Sequence, residues 1–72
     1  MKPFKYKYDS ECNEHILVNE YGHKSYTIIF DYDSICPEKC KAESILGKTF
    51  TFNASDIEGY DMLLEKFPEN CI

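Results

Sequence analysis

Polar and apolar positions alternate with a period of two over much of the first half of the chain, the spacing of strands. Phe4, Tyr6 and Tyr8 alternate with Lys5 and Lys7, so the aromatic rings share one face and the lysines the other. Glu14-His15-Ile16-Leu17-Val18-Asn19 reads as a second strand rich in β-branched residues. Tyr21-Gly22-His23-Lys24 has turn chemistry, with Gly22 free to adopt positive φ. Residues 25–32 return as a third strand, with Tyr26, Ile28, Phe30 and Tyr32 on one face. The second and third strands form a hairpin.

The pattern breaks over residues 33–41, where Pro37 excludes a central strand. Residues 43–46 and 48–52 are again extended, as one strand bent at Gly47 or as two short ones, with Phe50 and Phe52 on a shared face. Ser55-Asp56-Ile57-Glu58 fits a capping box, in which Ser55 caps a helix and Glu58 reaches back to its amide. This predicts a helix from about Asp56 to Lys66, stopped by Pro68, with Ile57, Tyr60, Leu64 and Phe67 on one stripe. Gly59 weakens that helix. The expected fold is α+β: a small antiparallel sheet of three to five strands with one C-terminal helix packed on it.

Size limits what such a fold can do. Its 72 residues make a single acidic domain near the lower limit for a self-sufficient core, with little room for a deep substrate cleft. Binding through an exposed face is the default. An apolar content of 43% argues against wholesale disorder. No apolar run approaches bilayer length, and Met1-Lys2-Pro3-Phe4-Lys5 lacks the apolar centre of a secretory signal, which places the chain in the cytoplasm.

Charge narrows the partner class. The net charge is −5, all eight basic residues are lysines, and acid concentrates at Asp9, Glu11, Glu14 and Glu20 and again at Asp56, Glu58, Asp61, Glu65 and Glu69. Without arginine the chain lacks the fork that reads phosphate and guanine, so direct nucleic-acid binding is not expected. A protein with a basic surface suits it better. The tyrosines then serve the edge of the core and the contact surface.

Other motifs resolve less. Ala42-Glu43-Ser44-Ile45-Leu46-Gly47-Lys48-Thr49 matches a relaxed phosphate-loop pattern, but that loop needs a helix after it, and Thr49-Phe50-Thr51-Phe52 continues as strand. Cys12-x-x-His15 and Cys36-x-x-x-Cys40 carry the ligand types of a tetrahedral zinc site. In oxidising surroundings, Cys36–Cys40 or Cys12–Cys71 disulfides are the alternative; in a cytoplasmic protein all four thiols stay reduced. The sequon Asn53-Ala54-Ser55 matters only in a secreted chain. His15 and His23 have no evident nucleophile beside them, so no catalytic residues and no cofactor are expected.

Glu43-Ser44-Ile45-Leu46, one carboxylate, one hydroxyl and two β-prone residues, resembles the Glu-Ser-Ile-Leu strand of the phage-type uracil-DNA glycosylase inhibitor family. The likeness covers four residues closely, with small size, acidity and a mixed α/β sheet in common. In the family the strand enters the enzyme's DNA-binding groove, its polar groups replace phosphate oxygens, and an apolar pocket captures the leucine the enzyme would push into the duplex. The resemblance implies that Glu43, Ser44, Ile45 and Leu46 form the contact strand. Chain proximity adds Asp56 and Glu58 as acidic contacts, and the helical stripe offers Phe50, Ile57, Tyr60 and Leu64 as the pocket. The chain order departs from the family, where the strand lies early between two helices. An acidic helix follows it there; Gly47-Lys48-Thr49 adds a positive charge here.

The implied function is a non-enzymatic DNA mimic, a hydrolase inhibitor that blocks uracil-DNA glycosylase in base-excision repair. It would bind one-to-one in the host cytoplasm and derive from a phage or mobile genetic element. One alternative is an acidic anti-defence inhibitor of a CRISPR or restriction complex. Another is a zinc-stabilised interaction adaptor using Cys12, His15, Cys36 and Cys40. The plainer alternative for the motif makes Ile45 and Leu46 core residues and Glu43 a solvated charge.

Overall fold

The computed structural model describes residues 2–30 and 35–66. The architecture is α+β, with a curled six-stranded sheet and one C-terminal helix. The strands are β1 (Phe4–Asp9), β2 (Glu14–Val18), β3 (Lys24–Ile28), β4 (Lys39–Ser44), β5 (Thr49–Asn53) and β6 (Ile57–Glu58), and α1 spans Tyr60–Lys66. Their order across the sheet is β5-β4-β3-β2-β1-β6. The first five form an antiparallel meander, as the alternation predicts.

Register explains where the core sits. Tyr6 lies opposite Leu17 and Leu17 opposite Tyr26; Ile28 lies opposite Ala42, and Cys40 opposite Phe52. These residues share one face, as strand periodicity requires. Ile35, Ile57, Tyr60 and Leu63 complete the buried cluster, with Phe4, Tyr26, Phe52, Ala54 and Leu64 packed against it. The curl brings Phe4 of β1 to Phe52 of β5, with ring centroids 5.1 Å apart.

Several expectations change. First, the sheet is mixed: β6 runs parallel to β1, with Phe4 opposite Ile57 and Lys5 opposite Glu58. Second, the capping box does not form. Residues 54–56 make a 3-10 turn, Glu58 belongs to a strand, and the helix starts at Tyr60. Pairing with Phe4 holds Ile57 extended and fully buried, and that burial outweighs a local capping preference. The helical stripe is therefore Tyr60 and Leu63, with Leu64 beside it. Third, residues 43–46 are not a strand. Glu43 and Ser44 end β4, and Ile45 and Leu46 lie in the turn that follows.

Pro37 itself avoids a strand, but β4 starts at Lys39, so residues 39–41 of the expected break over 33–41 are strand. Cys36 and Lys39 exchange backbone hydrogen bonds of 2.8 and 3.3 Å around Pro37-Glu38. The Tyr60 hydroxyl, shared between the carbonyls of Cys36 and Lys39 (2.6 Å to the latter), ties α1 to that turn. The third strand, expected over residues 25–32, runs Lys24–Ile28 and stops before Ile29 and Phe30. Tyr32, the stop at Pro68, the stripe position Phe67 and the thiol of Cys71 lie outside the described residues.

Candidate protein-binding site

The β4–β5 hairpin carries the Glu43-Ser44-Ile45-Leu46 segment at its tip. Alternation along β4 buries Cys40 and Ala42 and turns Lys39, Lys41 and Glu43 to the opposite face. Glu43 and Ser44 thus point to opposite sides of the sheet. The Ser44 amide donates to the Lys48 carbonyl (2.8 Å) and the Gly47 amide to the Ser44 carbonyl (2.9 Å), closing a three-residue loop. Gly47 holds φ at +83°, the left-handed position that such a loop needs at its third residue. The Ser44 hydroxyl accepts the Lys48 N–H at 3.2 Å, so this oxygen serves the turn.

The β2–β3 turn is built the same way. The Asn19 amide donates to the His23 carbonyl (2.9 Å), the Gly22 amide donates to the Asn19 carbonyl (3.0 Å), and Gly22 has φ +81°. The Asn19 side chain accepts the amides of Tyr21 and His23. The first two loop positions there are Glu20 and Tyr21; in the second turn they are Ile45 and Leu46. Ile45 is 96% exposed and Leu46 83%. They are not core residues, which removes the plainer alternative for them.

Behind the tip lies an aromatic platform. Tyr26 contacts Phe50 (centroids 5.6 Å), Phe52 (4.7 Å) and Phe4 (5.7 Å). Phe50 remains 42% exposed. A shallow groove runs from Lys24 to Thr27 along β3 on one side, and is closed by Glu43, Ser44 and Ile45 on the other. The tip therefore offers two apolar side chains, a partly open aromatic ring and a carboxylate on the outer face. Phe4, Tyr26 and Phe52 were not singled out as site residues. The cue for the turn was present: two residues and a glycine between β-prone runs is a hairpin signal.

The other expected site residues are placed elsewhere. Ile57 and Tyr60 are core residues, while Phe50 packs with Tyr26, so Phe50, Ile57, Tyr60 and Leu64 do not line an open pocket. Asp56, half-buried in the 3-10 turn, and Glu58 on β6 follow the far end of β5, about 17 Å of strand away from the tip.

No protein-family model matches the chain, and no curated protein or solved structure matches it. Function therefore has to be read from the site itself.

The zinc set is not assembled. Cys12 is exposed in the β1–β2 turn, His15 lies on β2, and Cys40 is buried in β4. Among the described residues, the only His, Cys, Asp and Glu side chains grouped closely enough to hold a metal are Asp9, Cys12 and Glu14. Burial pushes the Cys40 thiol up to about 11, which opposes the thiolate a metal requires. The Asp9 carboxylate, chiefly, raises Cys12. Cys12, Cys36 and Cys40 are all free thiols. His15 sits below its ordinary value because burial, and then Lys66, disfavour its charged form; the Tyr6 hydroxyl lies 2.5 Å from its Nδ1.

Proposed function

We propose that the chain is a non-enzymatic acidic inhibitor that docks on a DNA-binding enzyme through the tip of the β4–β5 hairpin. The carrying observation is the near-complete exposure of Ile45 and Leu46 on a turn whose twin is built from Glu20 and Tyr21. Covering an Ile or Leu side chain contributes about 1.5–3 kcal/mol, so two adjacent anchors can dominate a small interface. Glu43 and the net charge of −5 favour a basic partner surface, the kind that a DNA-binding groove presents.

The resemblance of Glu43-Ser44-Ile45-Leu46 to the glycosylase-inhibitor strand makes uracil-DNA glycosylase the specific target. The geometry alters the mode. Ile45 and Leu46 act as the anchors themselves, in place of a pocket that receives an enzyme side chain. Glu43 supplies the phosphate-like charge at the flank. The complex forms one-to-one in the host cytoplasm, without metal or cofactor. Among the described residues no helix is long and apolar enough to cross a membrane.

The test is uracil excision from a uracil-containing duplex with increasing amounts of the purified chain. Stoichiometric inhibition that weakens as salt rises supports the target. Undiminished excision at large excess removes uracil-DNA glycosylase, and the same titration against CRISPR and restriction nucleases then separates the other nucleic-acid enzymes.

A further inference from the structure

We propose that two copies of the chain associate by antiparallel pairing of β5 with β5, about a two-fold axis at Thr51. This association uses the outer edge of β5 and leaves the Ile45 and Leu46 anchors of the hairpin tip free. β5 is an outer strand of the sheet, hydrogen-bonded to β4 on one side and unpaired on the other among the described residues. Hydrogen bonds from Ser44 to Lys48 and from Ala54 to Glu38 bracket the β4–β5 ladder. The alternation between them turns the N–H and C=O groups of Phe50 and Phe52 toward β4. Thr49, Thr51 and Asn53 turn theirs outward.

Among the described residues, the sequence of that outer strand carries none of the residues that usually protect an edge. Thr49-Phe50-Thr51-Phe52-Asn53 has no charge, no proline and no glycine. The opposite edge, β6, is only two residues long and ends in Glu58. A chain of net charge −5 repels its own copy, and an uncharged strand such as β5 adds nothing to that repulsion at the contact.

The residue order is self-complementary. With Thr51 on the axis, Thr51 faces Thr51 and Thr49 faces Asn53 of the other copy, so every outward-facing residue in both strands exchanges its two bonds. Moving the axis to Phe50 or Phe52 leaves one outward residue of each strand without a β5 partner. On the core-side face, Phe50 then lies opposite Phe52 of the second copy and extends the aromatic platform over its exposed ring. Beyond the strands, Lys48 of one copy approaches residues 54–56 of the other, where Asp56 supplies opposite charge. The two-fold closes the assembly as a dimer.

Sedimentation equilibrium of the full chain over a range of concentrations tests this directly. The dimer fraction should rise with concentration. Thr51→Glu places a carboxylate opposite Lys41 within its own sheet, which favours the folded monomer, and sets two carboxylates against each other across the axis. The dimer dissociation constant should rise about fivefold or more, while the thermal melt of the dilute variant stays at or above that of the parent. The tip variant I45E/L46Y should dimerise like the parent. A chain that stays monomeric throughout, a dimer indifferent to Thr51→Glu, or a dimer lost in I45E/L46Y would overturn the pairing.

Discussion

The β2–β3 and β4–β5 turns share one backbone solution and carry opposite chemistry. Each closes with a bond between the flanking residues, a second bond from the loop glycine, and a polar side chain that caps the loop. One displays Glu20 and Tyr21, the other Ile45 and Leu46. The backbone therefore does not demand apolar residues at the tip. Two aliphatic side chains held in water contribute nothing to a turn that polar residues build equally well. That difference separates what the hairpin needs to fold from what it presents.

The comparison can be broken at several levels. The largest expected effect contrasts the tip with the core it projects from. Leu17→Ala, at a fully buried position, should lower unfolding free energy by about 2–5 kcal/mol in urea titrations, whereas Leu46→Ala should leave it nearly unchanged. A large loss at Leu46 would show that the tip is structural. The glycines come next. A Cβ on Gly22 meets nothing within 4 Å, and one on Gly47 meets only the Glu43 carboxylate at 4.0 Å. Only backbone strain then opposes Gly22→Ala and Gly47→Ala, and each should cost about 1 kcal/mol. Unequal losses in thermal melts would mean that the two turns are not equivalent.

The caps sharpen the same point on a smaller scale. Asn19 accepts two amides and Ser44 one, so Asn19→Ala should destabilise more than Ser44→Ala, both by about 0.5–1.5 kcal/mol. The smallest effect lies away from both tips. His15 is held below its ordinary 6.5, so the unfolded chain takes up a proton more readily than the folded one. Its contribution is complete above about pH 6.5 and disappears as pH falls through the lower folded value. Thermal melts between pH 7.5 and 5 should show a steeper loss for the parent than for His15→Gln; parallel curves would remove this assignment.

The meander was legible because Phe4, Tyr6 and Tyr8, and Tyr26 and Ile28, alternate with polar residues along exposed strands. β6 was not, because two residues carry no periodicity and their partners Phe4 and Lys5 lie more than fifty positions earlier. The Ser55–Glu58 capping pattern is sound local chemistry that lost to the burial of Ile57. Ile45 and Leu46 read as strand or core because their side chains favour both. Only the hydrogen bonds around Gly47 place them at an exposed tip. The candidate site was thus visible as a residue string and invisible as a surface.

The most direct measurement gives the second turn the residues of the first. I45E/L46Y, titrated into the uracil-excision assay beside the parent, should unfold at the same temperature and lose inhibition by at least about a hundredfold, the equivalent of roughly 3 kcal/mol of lost anchoring. Full inhibition by the folded double variant would contradict the assignment of the hairpin tip as the binding site.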